Sequence, residues 1–221
     1  QVKTIHTSGG DYQARTVVLA TGAHPRELGL PGERELRGRG VSYCATCDGM
    51  FYRGKTVVVV GGGNTAVSDV LYLSRLCEKV YLVHRRDTLR ASKVYLDPLQ
   101  KAENVEFVWD SEVKQLLRDQ AVTGVRVRNK KTGKERDIPC DGVFVAVGYL
   151  PNTELYCGQV ELDEAGYVLA DETTQTNLPG VFAVGDLRKK PLRQVVTAAS
   201  DGAVAAHFIE EYFSTTVKEN G

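Results

Sequence analysis

"KTVVVVGGGNTAVSDVLYLSRLCEKVYLVHRRDTLR", from Lys55 to Arg90, decides the fold. The unbroken valines Val57 to Val60 read as a strand buried on both faces, since a half-exposed strand would alternate apolar with polar residues. A glycine turn then opens an amphipathic stretch from about Asn64 to Leu76, and "KVYLVH" reads as a second strand. Strand, helix and strand in this order make a βαβ unit, whose parallel pair must be covered by helices. Gly61, Gly63 and Ala66 fit G-x-G-x-x-A. Gly61 permits the tight turn, Gly63 lets the backbone approach a pyrophosphate, and the small Ala66 allows close helix–strand packing. Asn64 and Thr65 complete the cradle at the helix N-terminus, where unpaired amides favour an anion. The segment reads as a dinucleotide site.

The end of the second strand selects the nucleotide. A ribose 2′-hydroxyl calls for an Asp or Glu there. The chain instead has His84, Arg85, Arg86 and, one turn later, Arg90. Guanidinium groups suit a 2′-phosphate because they stay charged and donate two bonds at once. A solvated basic surface is the other reading of such a cluster, but its position at the strand end argues for phosphate. NADPH is the expected nucleotide.

A dozen residues before the cradle, "CATCDG" carries Cys44 and Cys47, with Asp48 immediately after. This spacing suits a small disulfide ring in which one thiol attacks a partner and the other resolves the mixed disulfide. Asp48 is placed to carry the proton of that exchange. Half of a zinc site is the alternative, but tetrahedral zinc needs two further ligands. Cys77, Cys140 and Cys157 are scattered singles, read as buried small hydrophobes, so no metal is expected. Five cysteines with one close pair do not make a secreted disulfide framework, and the cytoplasm is the expected compartment. Lys plus Arg and Asp plus Glu both number 28, which leaves no net field to attract nucleic acid or an anionic membrane. Apolar runs such as Thr56 to Val60 fall far short of the roughly 20 residues of a membrane span. The only methionine is Met50, so upstream sequence is expected to have been removed.

Outward from this core, "QVKTIHT" and "DYQARTVVLATG" read as a hairpin turning at Gly9 and Gly10. "VEFVWD" reads as a strand and "VTGVRVRNKKTGKERDIPCDGVFVAVG" as a hairpin. "GVFAVGD" is followed by a long helical stretch from about Leu192 to Phe213. Proline loops near Pro25 and Pro151 bracket the central block, the pattern of a domain inserted into a second one.

"CATCDG", "VVGGGNTA", "HRRDTLRA", "ATGA", "VGYLPNT" and "GVFAVGD…RQVVTAASDG" together resemble the low-molecular-weight, bacterial-type thioredoxin reductases along essentially the whole chain. The resemblance implies an α/β fold of Rossmann-like FAD- and NAD(P)-binding domains, with parallel sheets, helices and an antiparallel meander. The NADPH domain, residues 27–150, would be inserted in a partial FAD domain, residues 1–26 and 151–221. In that family NADPH reduces FAD, the flavin reduces the Cys-x-x-Cys disulfide, and the dithiol reduces thioredoxin. Carried onto this sequence, Cys44 is similar to the thiol that attacks thioredoxin, Cys47 to the one facing the flavin, and Asp48 to the acid–base. Arg85, Arg86 and Arg90 fall on the 2′-phosphate positions, and Gly148 of "VGYLPNT" on a cofactor-binding one. Asp186 is similar to the ribityl-binding aspartate, and Arg193, Gln194 and Val195 to residues lining the flavin ring. Thr21 and Gly22 fall in the FAD domain, where a strand end and a turn are an equal reading. The resemblance also implies a homodimer, and a hinge at Ala23 to Arg26 and Tyr149 to Thr153. Only one dinucleotide fingerprint is present, so the chain is similar to the C-terminal two-thirds of such an enzyme, with FAD a cofactor of the complete one. A flavin-free nucleotide-binding module without turnover, or a relative with another disulfide acceptor, would be the alternatives.

Overall fold

The computed structural model describes residues 2–218, without the side chains of 216–218. The chain forms two compact units, one of residues 1–24 with 149–221 and the other of residues 25–148. The first begins with β1 (Lys3–Thr7), β2 (Gly10–Ala14) and β3 (Val17–Leu19). The chain leaves it along β4 (Ala23–Pro25).

The second unit runs β5 (Val41–Ser42), α1 (Ala45–Asp48), β6 (Thr56–Gly61), α2 (Asn64–Leu73), β7 (Lys79–Val83), α3 (Lys93–Gln100) and β8 (Val105–Val108). It continues with β9 (Ser111–Arg118), β10 (Val122–Asn129), β11 (Glu135–Pro139) and β12 (Gly142–Ala146). A five-stranded sheet in the order β5-β12-β6-β7-β8 is parallel throughout. Because side chains alternate along a strand, β6 feeds two cores. Val57 and Val59 point with Phe144 onto Ala66, Val67, Val70 and Leu73 of α2 and onto Leu99 of α3. Val58 and Val60 point with Val143 and Val145 onto Val113, Leu116, Val125 and Ile138 of the antiparallel β9-β10-β11 sheet. Each fully buried valine is worth about 1.5 kcal/mol or more, so the run that reads as a two-faced strand is the main cohesive element of this unit.

This unit differs from the sequence reading in three places. The stretch from Val122 to Gly148 is not one hairpin, because β10 and β11 pair antiparallel while β12 joins β6 in the parallel sheet. β9, whose Val113 and Leu116 face inward, and α3 were not anticipated at all. α2 ends at Leu73, and the amides of Leu76 and Cys77 both donate to the Leu73 carbonyl in a closing turn.

The chain returns to the first unit along β13 (Tyr149–Pro151), which pairs with β4. β14 (Val181–Ala183) then pairs parallel with β3, and Phe182 and Val184 pack on Ala205 of α4 (Val195–Lys218). α4 starts later than Leu192. The Gln194 amide donates to Thr197 Oγ1 at 3.1 Å, a side-chain capping bond that sets the first turn.

Glu33, only 2% exposed, holds the start of the second unit. Its carboxylate accepts the amides of Leu28, Gly29 and Leu30 at 2.9, 2.9 and 3.1 Å and the Tyr43 hydroxyl at 2.8 Å. Burial, then the bond to Glu33, push the Tyr43 phenol upward. Replacing Glu33 with Ala leaves four donors without their acceptor and should cost about 2–4 kcal/mol in a urea titration. A loss below about 0.5 kcal/mol, typical of a surface position, would contradict this role.

Candidate functional site

The C-terminal ends of β6, β7 and β12 open into a cleft of about 810 Å³ in the second unit. Strand ends of a parallel sheet are where ligands of such folds gather, because the crossovers leave a crevice there. Gly61, Gly63, Asn64 and Thr65 line it with His84, Arg85, Arg90 and Gly148. A Cβ on Gly61 would lie 2.4 Å from the Ala146 carbonyl oxygen and 2.7 Å from Ala66 Cβ, so only glycine fits between β12 and α2. A Cβ on Gly63 would meet nothing within 4 Å, leaving the cradle open on its outer side. Ala66 is buried under it. Asn64 Oδ1 accepts the Ser92 amide at 2.9 Å, and the Arg90 amide donates to the Gly62 carbonyl at 2.8 Å. These bonds tie the arginine segment to the glycine turn. Arg85 and Arg90 are exposed and line the cleft; Arg86 is exposed but lies outside its lining.

His84 has a different place from the arginines. It is buried beneath the turn, where a Cβ on Gly62 would meet its ring at 2.1 Å. The middle glycine of "GGG" is therefore needed by the histidine, a requirement the x of the sequence motif hides. Burial first, then the charges of Arg85 and Arg90, lower the His84 pKa, and its Nε2 has no partner.

The redox turn lies in the same unit. Cys44 and Cys47 form a disulfide with their Cα atoms 5.3 Å apart. Cys44 is half-buried and caps α1, its sulfur accepting the Cys47 amide at 3.2 Å, while Cys47 is exposed. Asp48 accepts a bond from Ser42 Oγ at 2.7 Å, a partner that sequence reasoning missed because a serine at a strand end carries no motif. Burial raises the thiols of Cys77 and Cys140 to about 11 and about 12. Cys157, read from sequence as buried, is exposed, in the loop after Tyr156.

The remaining candidates lie in the first unit. Asp186 follows Gly185, whose φ of 76° is left-handed, and its Oδ1 is buried without a partner. The Arg193 guanidinium lies 3.9 Å over the Tyr167 ring and donates to the carbonyls of Asp186 and Arg188 at 3.2 and 3.3 Å. Gln194 is half-buried, and Val195 is 88% exposed at the start of α4. Thr21 Oγ1 bonds to the Asn152 carbonyl and the Tyr156 hydroxyl, and the Gly22 carbonyl accepts the Asn152 amide at 2.9 Å. Thr21 Oγ1 and the Gly22 carbonyl are thus engaged within the fold. Among the described residues no helix is long and apolar enough to cross a membrane.

His84 gives the second unit a pH dependence of known sign. Its folded pKa lies below the ordinary 6.5, so the unfolded chain binds the extra proton between those two values. The contribution is present above 6.5 and is lost as pH falls through the folded value. Thermal melts taken downward from neutral pH should fall more steeply in wild type than in His84→Gln. Equal slopes would contradict it.

The description "Pyridine nucleotide-disulphide oxidoreductase" matches residues 1–202. The chain is 46% identical over 213 residues to a thioredoxin reductase of Listeria monocytogenes, covering 96% of this chain and 67% of that one. It is 45% identical over 222 residues to one of Streptomyces coelicolor, covering 100% and 69%. The crystal structure of thioredoxin reductase from Streptococcus pyogenes superposes with a TM-score of 0.89 at 43% identity, covering 97% of this chain and 70% of that one. The strand-end cleft and the paired cysteines sit on a chain that matches these proteins almost from end to end, and it belongs to the thioredoxin reductases of the pyridine nucleotide-disulphide oxidoreductase family.

Proposed function

We propose that the unit of residues 25–148 takes NADPH in its cleft and passes reducing equivalents through Cys44 and Cys47 to the disulfide of thioredoxin. The observation that carries this reading is the convergence of Arg85 and Arg90 on the glycine cradle, in the unit that also holds the disulfide. The cradle fits a pyrophosphate, since its outer side is open at Gly63 and its inner side admits no Cβ at Gly61. Exposed guanidinium groups on the cleft fit a 2′-phosphate. Arg86, exposed beside Arg85, supplies further positive charge.

The FAD-binding role falls to the unit of residues 1–24 and 149–221. There the unpartnered buried oxygen of Asp186 suits a hydroxyl-rich ribityl chain. Arg193, Gln194, Val195, Thr21 and Gly22 are the further residues assigned to hold it. Bound NADPH and FAD supply the electron pair that reduces the Cys44–Cys47 disulfide. The thiol chemistry then belongs to the chain. Cys44 thiolate attacks one sulfur of the thioredoxin disulfide; that S–S bond breaks, a Cys44–thioredoxin disulfide forms and the second thioredoxin sulfur leaves as thiolate. Cys47 attacks Cys44 Sγ, re-forming the ring and releasing the remaining thioredoxin sulfur. Asp48 accepts the Cys47 proton and returns it to the departing sulfur. The family supports a homodimer and a cytoplasmic setting, where thiols are kept reduced.

Two outcomes test the assignments, both in a Cys157→Ser background that removes the exposed free thiol. Replacing Arg85 and Arg90 by Ala should weaken NADPH by at least roughly ten- to hundredfold and leave NADH nearly unchanged, since each charge-assisted bond is worth about 1.5–3 kcal/mol. Equal losses for both nucleotides would assign the arginines to the fold or the pyrophosphate. Reduced Cys47→Ser should accumulate a covalent adduct with oxidised thioredoxin, which Cys44→Ser cannot form. An adduct formed by Cys44→Ser through Cys47 would reverse the two roles.

A further inference from the structure

Ser42 ends β5 two residues before Cys44, and it is only 3% exposed. Pairing of Val41 with Val143 and of Ser42 with Phe144 fixes it to the central sheet. Its hydroxyl accepts the Cys44 amide at 3.1 Å, donates to Asp48 Oδ2 at 2.7 Å, and lies 3.4 Å from the Cys44 carbonyl oxygen. A hydroxyl has one hydrogen, and the short contact to a carboxylate claims it over the long contact to a carbonyl. A relay therefore runs from the Cys44 amide through Ser42 Oγ to Asp48. It spans the redox turn from the first cysteine to the acid and uses neither sulfur. It leaves the other carboxylate oxygen of Asp48 outside the relay.

We propose that Ser42 is the positioning residue for Asp48. It ties to the sheet, through a charge-assisted bond, the carboxylate that takes the proton of the resolving thiol. The proposal rests on Asp48 being the acid–base of the exchange. Several other groups share this region. They are the two thiols of the reduced turn and the Tyr52 phenol, which burial and then the Asp48 charge push upward. Lys55 lies over the Tyr52 ring. Tyr43 on the β5 side is bonded to Glu33.

The test needs no cofactor. The 221-residue chain carrying Cys157→Ser is reduced and mixed with oxidised glutathione at neutral pH. Its return to the disulfide is followed by acid quench and mass spectrometry, one chain dithiol and one glutathione disulfide giving one chain disulfide and two glutathione thiols. Ser42→Ala should slow ring closure about tenfold at neutral pH, as loss of one charge-assisted bond to Asp48 implies. Ser42→Thr, which keeps the hydroxyl, should stay within about threefold of wild type, less than one charge-assisted bond is worth. Asp48→Asn should be slow, and adding Ser42→Ala to it should cost nothing more, because the two residues act as one unit. A wild-type rate in Ser42→Ala beside a slow Asp48→Asn would overturn the proposal alone. So would an undiminished Ser42→Ala penalty in the Asp48→Asn background. A wild-type rate in Asp48→Asn would overturn the acid–base reading and the proposal with it.

Discussion

The close approach of Gly61 to the Ala146 carbonyl and to Ala66 is the constraint on which the second unit depends. β6 must end against β12 and turn at once into α2, and any side chain at Gly61 would force the strands or the helix apart. With the three elements this tight, the strand ends of β6, β7 and β12 share one rim. The cleft, the glycine cradle and the arginine segment then follow from the backbone, with Gly62 seated on His84 as a second close approach.

The same sheet carries the thiol chemistry. β12 pairs with β6 on one side and with β5 on the other, and β5 leads directly into the Cys44–Cys47 turn. The cradle and the disulfide are therefore attached to adjacent parts of one rigid element. Rigidity of that element is supplied by valines buried on both faces of β6 and by the Glu33 bonds that hold the segment before β5. The charge on Glu33 is satisfied by four donors, so a buried carboxylate here orders a loop without serving the reaction.

What was legible in the sequence was whatever a local pattern determines. The valine run, the glycine spacing and the cysteine spacing each act within a few residues, so β6, α2, β7 and the redox turn could be placed from them. Partner choice is not local. The run of β12 is apolar whether it returns to β11 or crosses to β6, and only the competition between two sheets decides. β9 was hidden because its inward Val113 and Leu116 lie three positions apart across a bulge region, which breaks strict alternation. Gly62 and Ser42 were missed for the same reason: each is required by a side chain distant along the chain or by a hydroxyl geometry that no spacing encodes. Cys157 shows the converse. Cysteine is usually buried, but a loop after a short turn left this one outside.

The most direct test of the account is where NADPH protects the backbone. Amide hydrogen exchange of the 221-residue chain, measured with and without saturating NADPH, reports the site without assuming any residue's role. The account predicts protection confined to the glycine turn from Gly61 to Ala66 and to the segment from His84 to Arg90, with the meander strand Glu135–Pro139 unchanged. Protection located in the meander or in residues 149–218, with none at the glycine turn, would contradict it.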